Sequence, residues 1–173
     1  MNEFFSAEQL GAAFAQLSLP RWGDLPDLEL YMDQVLSLME RYLGAYPVPD
    51  GRGLTASMVN NYVKQGVMPP PVKKKYTREH LAHLIIICIL KASLPIAVIQ
   101  GMIAAELENA PADVVYDRFC ALFERTGEAV AASLRQLSPE RDALGPIWHA
   151  AMRAQAEQAL ALKLYDGLRP DAE

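Results

Sequence analysis

Apolar residues recur at intervals of three and four along most of the chain, which predicts amphipathic helices rather than strands. The clearest stripe runs through Leu28–Leu43, a predicted helix that Asp27 caps and Gly44 ends. Because almost nothing alternates with a period of two, we predict an all-α fold. The other predicted helices are Ser6–Leu17, which Ser6 caps, Ala56–Gln65, Arg78–Lys91, Pro95–Glu106, Ala112–Leu137 and Glu140–Tyr165. In Arg78–Lys91 the continuous apolar run Leu84–Leu90 predicts burial on most sides.

The last two predicted helices are long and rich in alanine, and Ser138-Pro139 separates them. Each carries one apolar face, so we predict a helical hairpin in which each helix buries its face against the other. The faces are formed by Val115, Phe119, Leu122, Phe123, Val130 and Leu134 on the first helix and by Ile147, Met152, Leu160 and Leu164 on the second.

Between the helices, proline and glycine mark the connections. The loop Ala45–Gly53 leads to Thr55, which is predicted to cap a short helix that Gly66 ends. Pro69-Pro70-Pro71 cannot be helical and predicts an extended segment. The basic stretch Val72–Tyr76 that follows is predicted to form a strand or a tight turn.

Composition and charge narrow the class of protein. The 173 residues are 51% hydrophobic and 21% charged, which is typical of one folded domain or two small ones. The net charge of −5 alone argues against a nucleic-acid ligand. However, the window Gly51–Ala105 contains seven Lys or Arg residues and only one acid, Glu79, so its net charge is +6. Such an asymmetry predicts a phosphate-facing module on an otherwise acidic protein.

Several features indicate a cytoplasmic protein. Cys88 and Cys120 lie in apolar helical stretches, so a secreted fold held by disulfides is not expected. The start, Met1–Phe14, has no early Lys or Arg, and we therefore expect no export signal. The most apolar window, Leu81–Ile99, is interrupted by polar residues and a proline, so no membrane span is expected.

The stretch Leu54–Leu84 carries the chemistry that suggests a function. Its short helix combines a buried set with small polar side chains, and amide groups on such a helix can read base edges in the major groove. Three consecutive lysines after the proline segment can neutralise phosphates. We therefore predict groove contacts by Ser57, Asn60, Asn61 and Lys64, phosphate contacts by Lys73, Lys74, Lys75 and Arg78, and a further DNA contact at the cap, Thr55.

Two families resemble this stretch. The order Asn61-Tyr62-Val63-Lys64-Gln65-Gly66-Val67-Met68-Pro69-Pro70, Lys74-Lys75-Tyr76-Thr77 and Glu79-His80-Leu81 resembles the winged helix-turn-helix of the MerR transcription regulators. The run Leu28–Ile103 resembles more closely the bacterial domain-of-unknown-function family eighteen thirty-six, which shares the Asn-Asn-Tyr, Gly, Pro-Pro and Lys-Lys-Lys-Tyr arrangement. The first resemblance implies a DNA-binding head with Leu28–Leu43 as supporting helix, Thr55–Gln65 as reader and Pro69–Tyr76 as wing. The second resemblance implies a fold but does not indicate which activity the protein has.

Together these observations predict a helix-turn-helix head with a rudimentary wing, followed by a C-terminal hairpin of long helices. The predicted domains are an N-terminal helix and connector (1–26), a MerR-like helix-turn-helix domain (27–108) and a C-terminal hairpin for dimerisation or effector binding (109–173). The predicted function is a DNA-binding transcriptional regulator that binds double-stranded DNA as a homodimer, with a C-terminal hairpin that either dimerises or senses an effector, for which a small molecule is one candidate. The alternative is a helical protein–protein interaction module that does not bind DNA.

Catalysis and cofactor binding find little support in the sequence. No phosphate-binding glycine loop, Cys-x-x-Cys pair or nucleophile elbow occurs, so we predict neither an enzyme nor a cofactor. The nearest candidates, none of them in a specific motif, are His80 and His83 with Cys88 for a metal, and His149 beside Trp148 or Asp113 with Asp117 for acid–base chemistry.

Overall fold

A computed structural model describes residues 7–44, 46, 53–134 and 144–168. Over these ranges the chain forms seven α-helices, one 3-10 turn at Trp22–Asp24 and two isolated antiparallel β-bridges, so the all-α prediction is confirmed. The helices are α1 (Ala7–Ala15), α2 (Met32–Leu43), α3 (Ala56–Lys64), α4 (Arg78–Leu90), α5 (Ile96–Asn109), α6 (Ala112–Leu134) and α7 (Gly145–Leu168). The predicted cap Ser6 and the predicted break Ser138-Pro139 lie outside the described residues.

The chain divides into two compact units, and α6 passes from one to the other. The central unit, Leu19–Ala121, contains α2 to α5 and the first part of α6. The terminal unit combines Met1–Ser18 with Leu122–Glu173, and its described part consists of α1, the second part of α6, and α7.

Helix α4 forms the centre of the central unit. Its apolar run from Leu84 is buried on nearly every side, because α2 and α5 both pack against it. Helix α2 contributes Val35, Met39 and Leu43, which are spaced by four residues and buried. The predicted burial of α4 is therefore confirmed.

The start of α2 differs from the prediction. The helix begins at Met32 instead of Leu28, because the N–H and C=O of Leu30 both bond to the backbone of Tyr76 at 2.8 Å. This bridge keeps Leu28–Tyr31 out of the helix, and the Tyr31 N–H donates to Gln34 Oε1 at 2.9 Å. Leu28 and Tyr31, predicted to belong to the buried stripe, are 59% and 55% exposed.

The connector before α2 is held by the first part of α6. The Trp22 N–H donates to a carboxylate oxygen of Asp117 at 2.8 Å, and Arg21 Nη1 donates to the Asp117 carbonyl at 3.0 Å. The Tyr116 hydroxyl donates to the Pro20 carbonyl at 2.8 Å, and burial raises the pKa of this phenol well above its ordinary value. Asp117 is thus a structural residue.

In the terminal unit, α1 crosses α6 at closely spaced backbones. Gly11 faces the Ala131 carbonyl oxygen, and Gly127 lies so close to Phe14 that a Cβ on Gly127 would be 2.5 Å from the Phe14 carbonyl oxygen. Both glycines therefore allow α1 and α6 to pack closely, and a larger residue at Gly127 would prevent this close packing.

Helix α7 does not bury the face that its apolar residues predict. Its half-buried residues are Gly145, Pro146, Gln158, Ala161, Leu162 and Tyr165, and none of its 24 residues is fully buried. Ile147, Met152, Leu160 and Leu164, predicted to pack against α6, are instead exposed. The prediction of a mutually buried hairpin face is therefore wrong for α7, and Leu122 of the predicted α6 face is also 56% exposed.

Cys88 and Cys120 are free thiols, and burial raises the pKa of Cys88 to about 11. Over the described residues, no helix has the length and apolar character needed to cross a bilayer.

Candidate nucleic-acid interface

Helix α3 is a short helix with defined ends. Thr55 Oγ1 accepts a hydrogen bond from the Met58 N–H at 3.3 Å, as expected of an N-cap. At the other end, Gly66 adopts a φ of +71° and the Val67 N–H donates to the Tyr62 carbonyl at 2.9 Å. The bounds agree with the predicted helix to one residue.

The inner face of α3 anchors the helix. Val59 and Tyr62 are buried, and burial raises the pKa of the Tyr62 phenol. Tyr62 is therefore a packing residue. Gln100 of α5 adds a polar contact at the end of α3, since its Nε2 donates to the Gly66 carbonyl at 3.1 Å.

The outer face of α3 carries the predicted groove contacts. Ser57, Asn60, Asn61 and Lys64 follow one another at steps of three, one and three, which places them on one side of a helix. All four are exposed. Within the described ranges none of their side chains has a hydrogen-bonding or ionic partner, so their amide, hydroxyl and ammonium groups are available to an external ligand.

The lysine stretch forms a two-residue hairpin turn. Val72 and Lys75 form an antiparallel bridge in which the Lys75 N–H donates to the Val72 carbonyl at 2.9 Å. The two residues between them, Lys73 and Lys74, have φ values of +49° and +64°. Such a turn favours Asn-Gly, because the left-handed conformation costs about 1–2 kcal/mol for other residues. Two exposed lysines therefore adopt a backbone conformation that is unfavourable for lysine.

Lys75, predicted as a phosphate contact, is paired within the chain. Its Nζ lies 2.7 Å from Glu29 Oε2, and this hydrogen bond raises the pKa of Lys75. The bridge between Leu30 and Tyr76 brings the two side chains together across 46 residues of sequence.

Arg78, the fourth predicted phosphate contact, is also engaged. Its Nη2 lies 3.8 Å from an Asp27 carboxylate oxygen, and its guanidinium lies over the Trp22 ring at 5.8 Å. Its Nε is buried and, in the described part of the chain, has no hydrogen-bond partner. Of the predicted cations near α3 and the turn, this leaves Lys64, Lys73 and Lys74 without an ion pair among the described residues; Arg52 lies outside them.

The two histidines of α4 serve the fold. The Thr77 N–H donates to His80 Nδ1 at 3.0 Å, and the His80 ring packs edge-on against Tyr76 at 5.4 Å. Burial lowers the pKa of His80, which favours the neutral ring. His83 Nδ1 lies 2.9 Å from the Glu79 carbonyl oxygen. Over the described ranges, no three potential metal ligands converge.

A separate groove of about 480 Å³ lies between α6 and α7 of the terminal unit. Its walls include the apolar Val130, Leu134 and Ala154 and the polar Arg125, His149 and Arg153. Arg153 Nη1 donates to Ser133 Oγ at 3.2 Å across the groove. The predicted small-molecule effector stays a prediction, and this groove is the place where it would be tested.

Asp27 and Glu29 were missed as parts of this surface. Both follow Pro26 in a segment that the pattern assigns to a helix cap and a helix start. Only the long-range bridge at Leu30 places them beside Arg78 and Lys75, so no local sequence signal could have identified them.

Comparison with known proteins gives one match. No curated protein and no solved structure matches the chain. One family model matches residues 20–119, nearly the bounds of the central unit, and this range includes all nine predicted DNA-binding residues. The matched range also extends beyond Leu28–Ile103 at both ends. The chain belongs to the family described as a domain of unknown function, DUF1836.

Proposed function

We propose that this protein is a DNA-binding transcriptional regulator with a MerR-like helix-turn-helix head, in which α3 lies in the major groove. The observation that carries the proposal is the outer face of α3, where Ser57, Asn60, Asn61 and Lys64 are exposed and have no partner among the described residues. An amide can bond adenine through two atoms, and a hydroxyl can bond any base edge, so this face suits base recognition.

The turn at Lys73 and Lys74 supports the same function as a rudimentary wing. Both ammonium groups are exposed, and the left-handed backbone at these positions disfavours lysine. Strained residues of this kind are typical of binding sites, because a functional side chain offsets the backbone cost. Here the function is contact with phosphate oxygens on either side of the groove.

The remaining predicted contacts, Thr55, Lys75 and Arg78, differ in how directly each one would contact DNA. Thr55 Oγ1 accepts the bond from the Met58 N–H and keeps its own proton for a phosphate oxygen. Lys75 reaches a phosphate only when it leaves Glu29, and Arg78 positions the segment before α4 through Asp27 and Trp22. Binding as a homodimer would place two such heads on one site.

The proposal is tested by titrating a fluorescent duplex of random sequence with the full chain at 50 mM salt. We expect binding that weakens at higher salt, and we expect Lys64→Glu to lower affinity by roughly 100-fold, since the change removes one cation and adds one anion at the phosphates. Far-UV circular dichroism of the variant checks that it folds.

Lys163→Glu is the matched control, because Lys163 is an exposed lysine on α7 in the terminal unit. It makes the same charge change and should alter affinity far less than Lys64→Glu. Absence of duplex binding by the folded wild type would contradict the proposal and favour the protein–protein interaction module; equal losses for both variants would exclude α3 as the contact surface.

A second prediction concerns Glu29, which competes with DNA for Lys75. Glu29→Gln removes the carboxylate that holds the Lys75 ammonium. We therefore expect duplex affinity at 0.1 M salt to rise by roughly tenfold and the log–log salt slope to steepen by about one. Because the pair is exposed, the melting temperature should change little.

Glu40→Gln serves as the control for Glu29→Gln, because Glu40 is an exposed glutamate on α2 of the same unit. It changes the net charge equally without freeing Lys75. If both variants raise duplex affinity by the same factor, the effect comes from net charge alone, and the ion pair with Glu29 does not limit DNA contact by Lys75.

A further inference from the structure

We propose that the exposed face of α7 is the seam of a homodimer, formed with α7 of a second copy in antiparallel orientation. The face consists of Trp148, Met152, Ala156, Leu160 and Leu164, which follow one another at steps of four residues on the side of the helix opposite the half-buried Gln158 and Tyr165; we name this set the α7 ridge. The inference concerns the terminal unit and does not depend on DNA binding.

The α7 ridge is too apolar to be an ordinary solvated face. Its large side chains are 58% to 66% exposed. Single exposed apolar residues are normal in proteins, but a contiguous set of this size marks an interaction surface.

The area of the face matches what a dimer requires. At roughly 100 Å² for each large apolar side chain, the four on the ridge offer roughly 400 Å² per chain. A stable interface buries about 800 Å² per partner, of which a little over half is apolar, so the ridge supplies most of the apolar part. A two-fold dimer uses the same face twice, and no second kind of surface is needed.

The order of residues along the ridge fits an antiparallel partner centred on Ala156. In that register Met152 faces Leu160 of the second copy, and Trp148 faces Leu164 of the second copy. Every large side chain of the ridge thus faces another large apolar side chain, and the smallest residue, Ala156, faces itself at the crossing point.

Helix packing geometry allows this arrangement. Ridges formed by residues four apart interlock when two helices cross at about −50°, which is the commonest packing class, and a small residue at the crossing lets the axes approach. The charges nearest the centre do not oppose it, because Arg153 Nε and Glu157 Oε1 are paired at 2.7 Å within one helix.

Sedimentation equilibrium of the full chain without DNA tests the seam. We expect the wild type to be dimeric at micromolar concentration and Leu160→Glu to weaken the dimer by about 100-fold or more, since two carboxylates would enter the seam. Ala132→Glu, on an exposed position of α6, is the matched control and should leave the dimer intact. A monomeric wild type, or equal effects of the two substitutions, would overturn the proposal.

The register is tested by oxidation with glutathione disulfide. Ala156→Cys should form a covalent dimer, because a disulfide needs Cα atoms within about 7 Å, whereas Met152→Cys alone should not. A mixture of Met152→Cys and Leu160→Cys chains should form the mixed dimer. The wild-type chain is the control that shows whether the buried Cys120 and the high-pKa Cys88 contribute to cross-linking. Cross-linking of Met152→Cys alone in preference to Ala156→Cys would contradict the antiparallel register.

Failure of these tests and failure of DNA binding are distinguishable. A monomer that still binds duplex in a salt-dependent way would remove the seam and keep the proposed function. A dimer that binds no duplex would keep the seam and remove the DNA proposal.

Discussion

Replacing Lys73-Lys74 by Asn-Gly should make the protein more stable and a weaker DNA binder. Both residues are left-handed in the native turn, and Asn-Gly is the pair that such a two-residue hairpin favours. Relief of this backbone cost should stabilise the fold by about 2 kcal/mol and raise the melting temperature by roughly 4–8 °C. Loss of two phosphate contacts should weaken duplex binding by roughly 50-fold at 0.1 M salt.

The variant Lys73→Gln with Lys74→Gln separates the two effects. It removes the same two charges, but glutamine is as unfavourable as lysine in the left-handed conformation. We therefore expect the loss of duplex affinity without the gain in stability. Thermal denaturation and anisotropy titration of the three proteins measure both quantities. Unchanged affinity in both double variants would rule out the turn as a phosphate contact, and an unchanged melting temperature of the Asn-Gly variant would rule out the strain.

Gly127→Ala should destabilise the protein, although alanine is ordinarily the better helix residue. Alanine gains about 1 kcal/mol over glycine in a helix interior. At this position, however, its Cβ would lie 2.5 Å from the Phe14 carbonyl oxygen, a backbone atom that can move only if α1 moves. Overpacking of this kind costs typically 1–3 kcal/mol and sometimes more, so we expect a net loss of about 2 kcal/mol and a fall in melting temperature of about 6 °C.

Gly11→Ala is the matched control on the other side of the same helix contact. Its Cβ would meet the Ala131 carbonyl oxygen at 3.7 Å, which is ordinary van der Waals contact. The same substitution should therefore stabilise at Gly11, by up to about 1 kcal/mol, and destabilise at Gly127. Differential scanning calorimetry measures both; a stabilising Gly127→Ala would show that α1 does not lie against α6 as described.

Much of the helical fold follows from the spacing of apolar residues. The continuous run from Leu84 to Leu90 predicted a helix buried on most sides, and α4 has that character because α2 and α5 both cover it. Thr55 and Gly66 marked the ends of α3 to within one residue, since a cap and a left-handed glycine are local signals.

The errors come from contacts that are distant in sequence. The stripe through Leu28 and Tyr31 predicted four residues of helix that the bonds between Leu30 and Tyr76 keep out of α2. The apolar residues of α7 predicted burial against α6, but periodicity shows only that a face is apolar and not what covers it. Exposure of that face could be learned only from the folded chain.

The sequence predicted the exposed face of α3, but it did not predict which of the basic side chains are paired within the chain. The steps between Ser57, Asn60, Asn61 and Lys64 predicted a common exposed face, and the fold exposes all four. Net charge in a window could not reveal that Lys75 and Arg78 pair with Glu29 and Asp27, because those carboxylates lie outside the window and reach it through the bridge at Leu30.

The most direct test of the account is the salt dependence of duplex binding by the full chain and by the triple variant Lys64→Gln, Lys73→Gln, Lys74→Gln. Each lysine that neutralises a phosphate contributes about 0.9 to the slope of log affinity against log salt. If the outer face of α3 and the turn hold the DNA, the slope of the triple variant should be shallower by about 2.7. An identical slope for the two proteins would contradict the account.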